Sequence, residues 1–227
     1  YVLTNIHEPE LIDLSGTKTW NDADNQDGKR PDSITVRLLA NGREIERTEV
    51  DEEDEWKYSF TDLPKFKNGE EINYTVQEDG VEDYSTEIDG MDITNSYTPE
   101  QTSINVVKAW DDAENQDGIR PESVTVKLLA DDEETDKTIE LNADNNWQAD
   151  FTELDVYADG ETIEYTIEEV AVKGYEVVQT GTSEDGYILT NIHEPELIDL
   201  SGTKAWDDAN NQDGKRPDSI TVRLLAN

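Results

Sequence analysis

Cysteine is absent from this chain of 227 residues, and methionine, phenylalanine and histidine are scarce, with 1, 3 and 2 copies. The absence of cysteine excludes disulfides, thiolate nucleophiles and cysteine-based zinc sites. The two histidines, His7 and His193, stand alone at equivalent positions, so we interpret them as joint residues rather than ligands. We therefore predict no metal site and no cofactor. If the protein works outside a cell, its stability has to come from something other than disulfides.

Basic side chains are also scarce, at 18 against 56 acidic ones, which gives a net charge of −38. A surface of this charge repels phosphates, so nucleic acid and anionic membranes are excluded as partners. No apolar run reaches the length of a membrane span, so we expect no membrane insertion in this segment. The apolar residues that are present recur periodically, which predicts a folded, soluble monomer.

One motif occurs three times: a lysine two residues before a tryptophan, then an Asn-Gln-Asp-Gly turn and an Arg-Pro pair. Residues 1–41 and 187–227 align without a gap, and a diverged copy lies between them. We interpret the chain as an excised part of an alternating array, whose partners are neighbouring repeats of the same chain. The predicted boundaries are residues 1–7 for the last strand of a preceding repeat, 8–99 and 100–195 for two complete repeats, and 196–227 for the opening third of a further repeat.

Each complete repeat is predicted to consist almost entirely of strands, because apolar residues alternate with polar ones. The Asn41-Gly42 pair between two such runs is a strong hairpin signal. Short strands separated by turns are typical of a β-sandwich, so the predicted fold class is all-β with tandem sandwich domains. In the first repeat the predicted strands are 14–20, 33–40, 56–60, 72–76, 84–88 and 91–97, and the second repeat has the same pattern.

Three polar residues in each complete repeat fall on the apolar face of their strands. Side chains alternate along a strand with a period of two, so Lys108 shares a face with Val106 and Trp110. By the same parity, a glutamate on a middle strand and an asparagine on the last strand also point inward. These residues are Lys18, Glu78 and Asn95 in the first repeat, and Lys108, Glu169 and Asn191 in the second. The neighbours Gln77 and Glu168 fall on the opposite face and are not candidates.

A buried lysine is costly unless it is paired or neutralised, and the other two residues suggest how this happens. Burial in general lowers the pKa of a lysine and raises that of a carboxylic acid, so the amine becomes nucleophilic and the acid keeps a proton to donate. The asparagine amide is then the electrophile, and folding supplies the proximity that its low reactivity requires. The pattern predicts a Lys–Asn isopeptide bond with the glutamate as the proton shuttle.

The motif Lys-x-Trp followed by Asn-Gln-Asp-Gly-x-Arg-Pro, then Tyr-Thr-[Val/Ile]-x-Glu and Thr-Asn-x-Tyr/His-x-Pro, resembles the B-type repeats of Gram-positive collagen adhesins, the Cna B domains. The resemblance covers essentially the whole chain. It implies an inverse-immunoglobulin, prealbumin-like sandwich in an extracellular, cell-wall-anchored surface protein. It also implies self-formed bonds, from Lys18 to Asn95 with the help of Glu78, and from Lys108 to Asn191 with the help of Glu169.

These expectations favour a structural stalk or spacer whose crosslinks resist force and proteolysis, while other regions of the parent protein would contact a host matrix ligand. Self-crosslinking is a single intramolecular event, so we do not expect an enzyme. Asn5 and Lys204 belong to the incomplete repeats and are expected to stay unreacted.

Two alternatives to a spacer remain open at this stage. One is an adhesion module whose surface binds a host or matrix protein. The other is a repeat stabilised by calcium in the acidic loop of residues 22–28, because calcium prefers several oxygen ligands. The loop departs from the EF-hand register, which favours a turn that is tied down by Arg30 instead.

Overall fold

Two β-sandwiches follow each other along the chain in the computed structural model, which describes residues 1–226. The first unit consists of β1 (Leu11–Asn21), β2 (Ser33–Ala40), β3 (Arg43–Asp51), β4 (Lys57–Pro64), β5 (Phe66–Lys67), β6 (Glu70–Glu71), β7 (Tyr74–Glu78), β8 (Ser85–Asp89) and β9 (Asp92–Ser96). The second consists of β10 (Gln101–Asp111), β11 (Ser123–Ala130), β12 (Glu133–Asn142), β13 (Gln148–Asp155), β14 (Tyr157–Ala158), β15 (Glu161–Thr162), β16 (Tyr165–Glu169), β17 (Glu176–Thr182) and β18 (Gly186–Ile192).

Both units have the same topology. In the first, a sheet of order β4-β1-β9-β8 faces a sheet of order β3-β2-β7, and β5 and β6 form a small separate hairpin. The second repeats this with β13-β10-β18-β17, β12-β11-β16 and the hairpin β14-β15. The first and last strands of each unit, β1 with β9 and β10 with β18, are neighbours and run parallel. The strand by which the chain enters a unit therefore lies beside the strand by which it leaves.

Each unit has its own apolar core between its two sheets. In the first, Val36 and Leu38 of β2 pack against Phe60 of β4 and Ile93 of β9. The second has Val126 and Leu128 in the equivalent places. Alternating burial along these strands follows the apolar alternation of the sequence, so the predicted tandem all-β sandwich fold is confirmed. Within the described part of the chain, no helix combines the length and the apolar character that a membrane crossing requires.

Several predicted strand positions are wrong by a few residues. Trp56 and Trp147 do not begin strands; each sits in a turn with φ in the left-handed region, at 59° and 58°, and the strand starts one residue later. The strand predicted at 72–76 starts at Tyr74, because the Ile72 N–H donates to the carbonyl of Lys65 beside the small β5-β6 hairpin. That hairpin was too short to give a periodic signal.

Residues 1–10 and 193–226 form no strand. Residues 1–7, which we predict to be the last strand of a preceding repeat, pair with no strand of the two units, and an extended segment needs a neighbour to pair its backbone N–H and carbonyl groups. The predicted segment 196–227 likewise has no strands in its described part, and only its last residue lies outside the described residues.

Candidate functional site

The parallel pairing of the first and last strands fixes the position of two of the candidate residues. In the first unit, Lys18 lies opposite Ile93, and Trp20 lies opposite Asn95. In the second unit the register is the same, with Lys108 opposite Leu189 and Asn191 opposite Trp110. The lysine and the asparagine are therefore two positions apart along neighbouring strands and face the same side of the sheet. Long side chains reach such diagonal neighbours.

The glutamate comes from the opposite sheet. Glu78 ends β7, where it pairs with Val36 of β2, and its carboxylate reaches across the core to the first sheet. Its Oε1 lies 3.3 Å from Nζ of Lys18, and both side chains are almost completely shielded from solvent. Asn95 is 0% exposed. The second oxygen, Oε2, accepts a hydrogen bond of 3.0 Å from the Thr86 hydroxyl.

The second unit brings all three residues into contact. Oε2 of Glu169 lies 3.3 Å from Nζ of Lys108, and its Oε1 accepts a hydrogen bond of 2.6 Å from the side-chain amide of Asn191. The Lys108 ammonium also donates to the backbone carbonyl of Leu189 at 3.0 Å. The carboxylate therefore bridges the amine and the amide, which is the position that a proton shuttle between them requires.

Several buried polar atoms at these sites have no hydrogen-bond partner. They are both side-chain polar atoms of Asn95 and the Oδ1 atom of Asn191. Oε1 of Glu78 and Oε2 of Glu169 have no hydrogen bond either, although each lies 3.3 Å from a lysine ammonium. A buried polar atom without a partner costs on the order of 1–3 kcal/mol, so native proteins have few of them and each calls for a physical reason. The lysine, glutamate and asparagine of each unit are thus energetically unfavourable as separate side chains.

An aromatic cluster also packs against the lysine of the first unit. Nζ of Lys18 lies 3.9 Å from the centroid of the Trp20 ring, which makes edge contacts with Trp56 and Tyr84 at 5.2 and 5.1 Å. Burial among these groups lowers the pKa of Lys18 to about 8, although the attraction of Glu78 opposes the shift. A substantial fraction of this amine is therefore neutral, and hence nucleophilic, near pH 8.

The second unit repeats the aromatic cover over its lysine. The ring of Trp110 lies 4.7 Å from Nζ of Lys108 and contacts Trp147 and Tyr175. Burial lowers the pKa of Lys108 as well, again against the attraction of Glu169. The same amine chemistry is thus available in both units.

The acidic loop that follows each tryptophan is organised around one buried aspartate. Asp22 accepts two hydrogen bonds from the Arg30 guanidinium, at 3.0 and 2.7 Å, and one from the Tyr84 hydroxyl at 2.9 Å. In the second unit Arg120 binds Asp112 in the same way and lowers the pKa of that carboxyl to about 2. Because the buried carboxylate already holds a cation of the protein, the geometry argues against the calcium alternative. Among residues 1–226, no cluster of three or more acidic or histidine side chains is arranged to hold a metal.

The two residues that we predict to stay unreacted are not buried. Asn5 and Lys204 are both exposed and lie outside the strands of either unit. The Lys204 ammonium donates only to the neighbouring backbone carbonyl of Ala205 within the described residues. Neither residue has the buried glutamate that the two complete units provide.

The joints after the two units differ in the aromatic residue that faces the acidic loop. Tyr97 donates its hydroxyl proton to Asp27 at 2.8 Å, whereas His193 in the second joint places Nε2 3.0 Å from Asp117 and Nδ1 2.9 Å from the carbonyl of Gly174. Both ring nitrogens of His193 thus face acceptors. This arrangement suits the doubly protonated ring, and the contact with Asp117 raises the pKa of His193 above 6.5.

We expect the His193 ring to titrate with a midpoint above pH 6.5, and Asp117→Asn to lower that midpoint. The protonated ring is the form that is favoured, so its contact strengthens the joint below pH 6.5 and is lost as the pH rises through the elevated pKa. The measurement is an NMR titration of the ring carbons of His193. Asp27→Asn, at the equivalent position of the other joint, is the matched control and should leave the midpoint unchanged. A midpoint at or below 6.5 in the unsubstituted protein would contradict the assignment.

Sequence reasoning missed several residues that shape the site. Thr86, which holds the Glu78 carboxylate, gave no signal because it lies on a strand whose side chains are exposed. Tyr84 and Tyr175 were recognisable in principle, since an aromatic residue stands at this place in both repeats. The role of Asp27 and Asp117 depends on contacts at the joints, which alternation within one strand does not encode.

The sequence of the chain matches a known family of protein domains. The family model described as Cna protein B-type domain matches residues 14–96, 104–192 and 200–227. A collagen adhesin of Staphylococcus aureus is 49% identical over 227 residues, which is all of this chain but 19% of that protein. The chain therefore spans about a fifth of the length of this relative.

Two solved structures of the collagen-binding surface protein of Staphylococcus aureus are also similar. A crystal structure of its single B repeat unit B1 is 48% identical, covers 82% of this chain and 100% of that chain, and has a TM-score of 0.41. A crystal structure of its two repeat units B1B2 is 49% identical, covers 92% of this chain and 56% of that chain, and has a TM-score of 0.47.

Proposed function

Because the chain belongs to the family of Cna protein B-type domains, we propose that it forms part of the stalk of a bacterial surface adhesin, in which each complete repeat is locked by one internal Lys–Asn bond. The repeats would span residues 8–99 and 100–195, and the parent protein would be extracellular and anchored to the cell wall. Other regions of the parent would contact the host ligand.

The observation that carries this proposal is the buried contact of the three residues in the second unit. Glu169 touches both the Lys108 amine and the Asn191 amide, and all three are shielded from water. In the reaction, Nζ of the neutral lysine attacks the side-chain carbonyl carbon of the asparagine, and a new C–N bond forms. The C–N bond to the amide nitrogen breaks, the carboxyl group carries a proton from the amine to that nitrogen, and ammonia leaves. No other reactant is needed.

Bond formation would also remove the energetic problem of the site. The charged amine becomes a neutral secondary amide, so the cost of burying an ion disappears. The asparagine carbonyl oxygen can then accept a hydrogen bond from the glutamic acid. The first unit offers the same reaction between Lys18 and Asn95, with Glu78 held by Thr86.

An intact-mass measurement tests the proposal directly. We expect the folded protein to be lighter than its sequence by two ammonia molecules, and Glu78→Gln or Glu169→Gln each to restore one of them, because the amide cannot shuttle the proton. Fragment masses should locate the links at Lys18–Asn95 and Lys108–Asn191, with Asn5 and Lys204 unmodified.

The matched control is Glu168→Gln, which makes the same change one residue away on an exposed position. It should leave both bonds intact. A mass equal to that of the plain sequence would defeat the proposal, and a loss of three ammonia molecules would show that the incomplete repeats react as well.

A second candidate function, direct contact with a matrix protein, is favoured only by the name of the Staphylococcus aureus relative, a collagen adhesin. Immobilised collagen, probed with this chain, separates the two functions. A spacer gives no saturable binding, whereas a binding module saturates at a defined stoichiometry.

A further inference from the structure

The loop that follows Trp20 makes an unusual backbone turn at the end of the first unit. Ala23, Asp24 and Asn25 all have φ between 51° and 63°, and Gly28 has φ of 67°. Successive non-glycine residues in the left-handed region are costly, so the surrounding contacts have to hold them in place. The Asp22 carboxylate and the Asn25 side chain do this by accepting the N–H groups of Asn25 and Arg30.

This loop contacts the second unit at the tip of the small β14-β15 hairpin. The N–H of Gly160, in the turn of that hairpin, donates to the carbonyl of Gln26 at 2.9 Å. Gly28 approaches Gly160 so closely that a β-carbon on Gly28 would lie 2.7 Å from the Gly160 α-carbon. A side chain at position 28 would therefore force the backbones apart, and a β-carbon on Gly160 would lie 3.2 Å from the Gly28 α-carbon, which is also tighter than ordinary contact.

The same loop also holds the joint between the units. The buried carboxylate of Asp27 accepts the backbone N–H of Glu100 at 2.8 Å, and the Lys29 ammonium lies 3.2 Å from the Glu100 carboxylate and 3.0 Å from that of Asp83. The second unit begins at β10, directly after Glu100. One loop thus contacts both the start of the next unit and its hairpin tip.

Each unit has both a glycine loop and a hairpin tip. The glycine loop of the second unit and the hairpin tip of the first contact no other unit within the described residues. The equivalent loop of the second unit ends at Gly118, and the equivalent hairpin tip of the first unit is Gly69. Within residues 1–226, a β-carbon built on either glycine meets no atom within 4 Å. Part of the next joint is nevertheless formed, because Asp117 accepts the N–H of Glu196 at 2.9 Å as Asp27 does that of Glu100.

We propose that the glycine loop of each unit is a docking site for the hairpin tip of the next unit along the chain, so that consecutive repeats are held head to tail in one fixed orientation. The partner that fits the Gly118 loop is the hairpin tip of a further complete B-type unit, and the partner that fits Gly69 is the loop of a preceding one. The contact is heterologous, since a loop meets a hairpin, and therefore it propagates along an array without closing on itself.

The two units offer matched variants for a test. Gly28→Ala and Gly118→Ala introduce the same side chain at the same φ of 67° in equivalent turns, but only the first removes a contact between units. Gly160→Ala and Gly69→Ala form a second pair on the hairpin side, with φ of 78° and 85°. Local strain is therefore similar within each pair, and the inter-unit contact is what differs.

The measurement is NMR residual dipolar couplings of the chain of residues 1–227. In the unsubstituted protein both units should share one alignment tensor. Gly28→Ala and Gly160→Ala should each give the units separate tensors, while Gly118→Ala and Gly69→Ala keep the shared one, and thermal unfolding checks that each unit stays folded. The proposal would be overturned if the two units shared one alignment tensor in all four variants. It would also be overturned if Gly118→Ala and Gly69→Ala separated the tensors as much as Gly28→Ala and Gly160→Ala do.

A longer chain with a complete unit after residue 196 extends the test to the unoccupied loop. In that chain Gly118→Ala should uncouple the second unit from the third while leaving the first and second coupled. If Gly118→Ala has no effect there, the loop is not a docking site.

Discussion

Asn95→Ala is expected to lower the free energy of unfolding of the first unit by about 4–5 kcal/mol, because it removes a link that would close most of the unit into one loop. A loop of that length loses much of its freedom in the unfolded state when it is crosslinked, and the variant regains that freedom. For a domain of this size, each kcal/mol corresponds to about 4–8 °C in Tm, so the transition should fall by on the order of 20 °C or more. Differential scanning calorimetry measures it, with the second unit as an internal reference.

The direction of this effect distinguishes the bond from ordinary packing. Without a bond, Asn95 is a buried amide with no hydrogen-bond partner for either polar atom, so its replacement by alanine would remove an unfavourable burial. A large loss of stability therefore requires a covalent link. Asn5→Ala changes the same residue type at an exposed position outside both units and should leave both transitions unmoved. If the first unit of Asn95→Ala unfolds at a Tm within a few degrees of its Tm in the unsubstituted protein, the prediction is contradicted.

The pH dependence of the same variant supplies a second signature. The free Lys18 of Asn95→Ala has a folded-state pKa of about 8, lowered by burial from 10.5. Between those values the unfolded chain binds more protons, so the stability of the variant should rise as the pH is raised from 8 to 10.5, and the full cost is present below pH 8. In the crosslinked protein Lys18 is an amide and does not titrate. The difference in stability between the two proteins should therefore narrow over this range.

The sequence predicts which of the candidate residues face inward, because parity survives divergence. Lys18, Glu78 and Asn95 sit on three strands, and a period of two is enough to place each of them inward without knowledge of the register. Burial of Lys18 at 3% exposure agrees with that reasoning, and so does the exposure of Gln77. What parity cannot give is which inward residues meet. That depends on the parallel pairing of β1 with β9 and on the opposite sheet that carries Glu78.

The parts that escaped prediction depend on backbone conformation and on contacts between units. The alternation of the sequence predicts that Trp56 starts a strand, yet its φ of 59° puts it in a turn. Tertiary packing against Trp20 overrides the preference of tryptophan for a strand. Gly28 and Gly118 occupy equivalent turns of the same motif, but only Gly28 has a neighbour in the next unit within the described residues. No pattern within one repeat separates them, because the difference depends on whether a complete unit comes next along the chain.

In single-molecule pulling, the unsubstituted protein is expected to show no release of length from either complete unit, whereas Glu78→Gln should release on the order of 250 Å from the first. Tension enters through β1 and leaves through the parallel β9. If Lys18 is bonded to Asn95, the force crosses from one strand to the other at that point. The chain between the two residues, which includes β2 to β8, then carries no load and cannot extend.

Glu78→Gln leaves the two strands joined by hydrogen bonds alone, and these are loaded in shear along their length because parallel strands are pulled from opposite ends. They resist until they rupture together, after which the residues between 18 and 95 unravel. Glu87→Gln, an exposed change in β8, should behave as the unsubstituted protein. The double variant Glu78→Gln/Glu169→Gln should give two releases of similar length. If the unsubstituted protein released the same lengths as the double variant, the load would pass through the hydrogen bonds. The proposed mechanical role of the site would then be wrong.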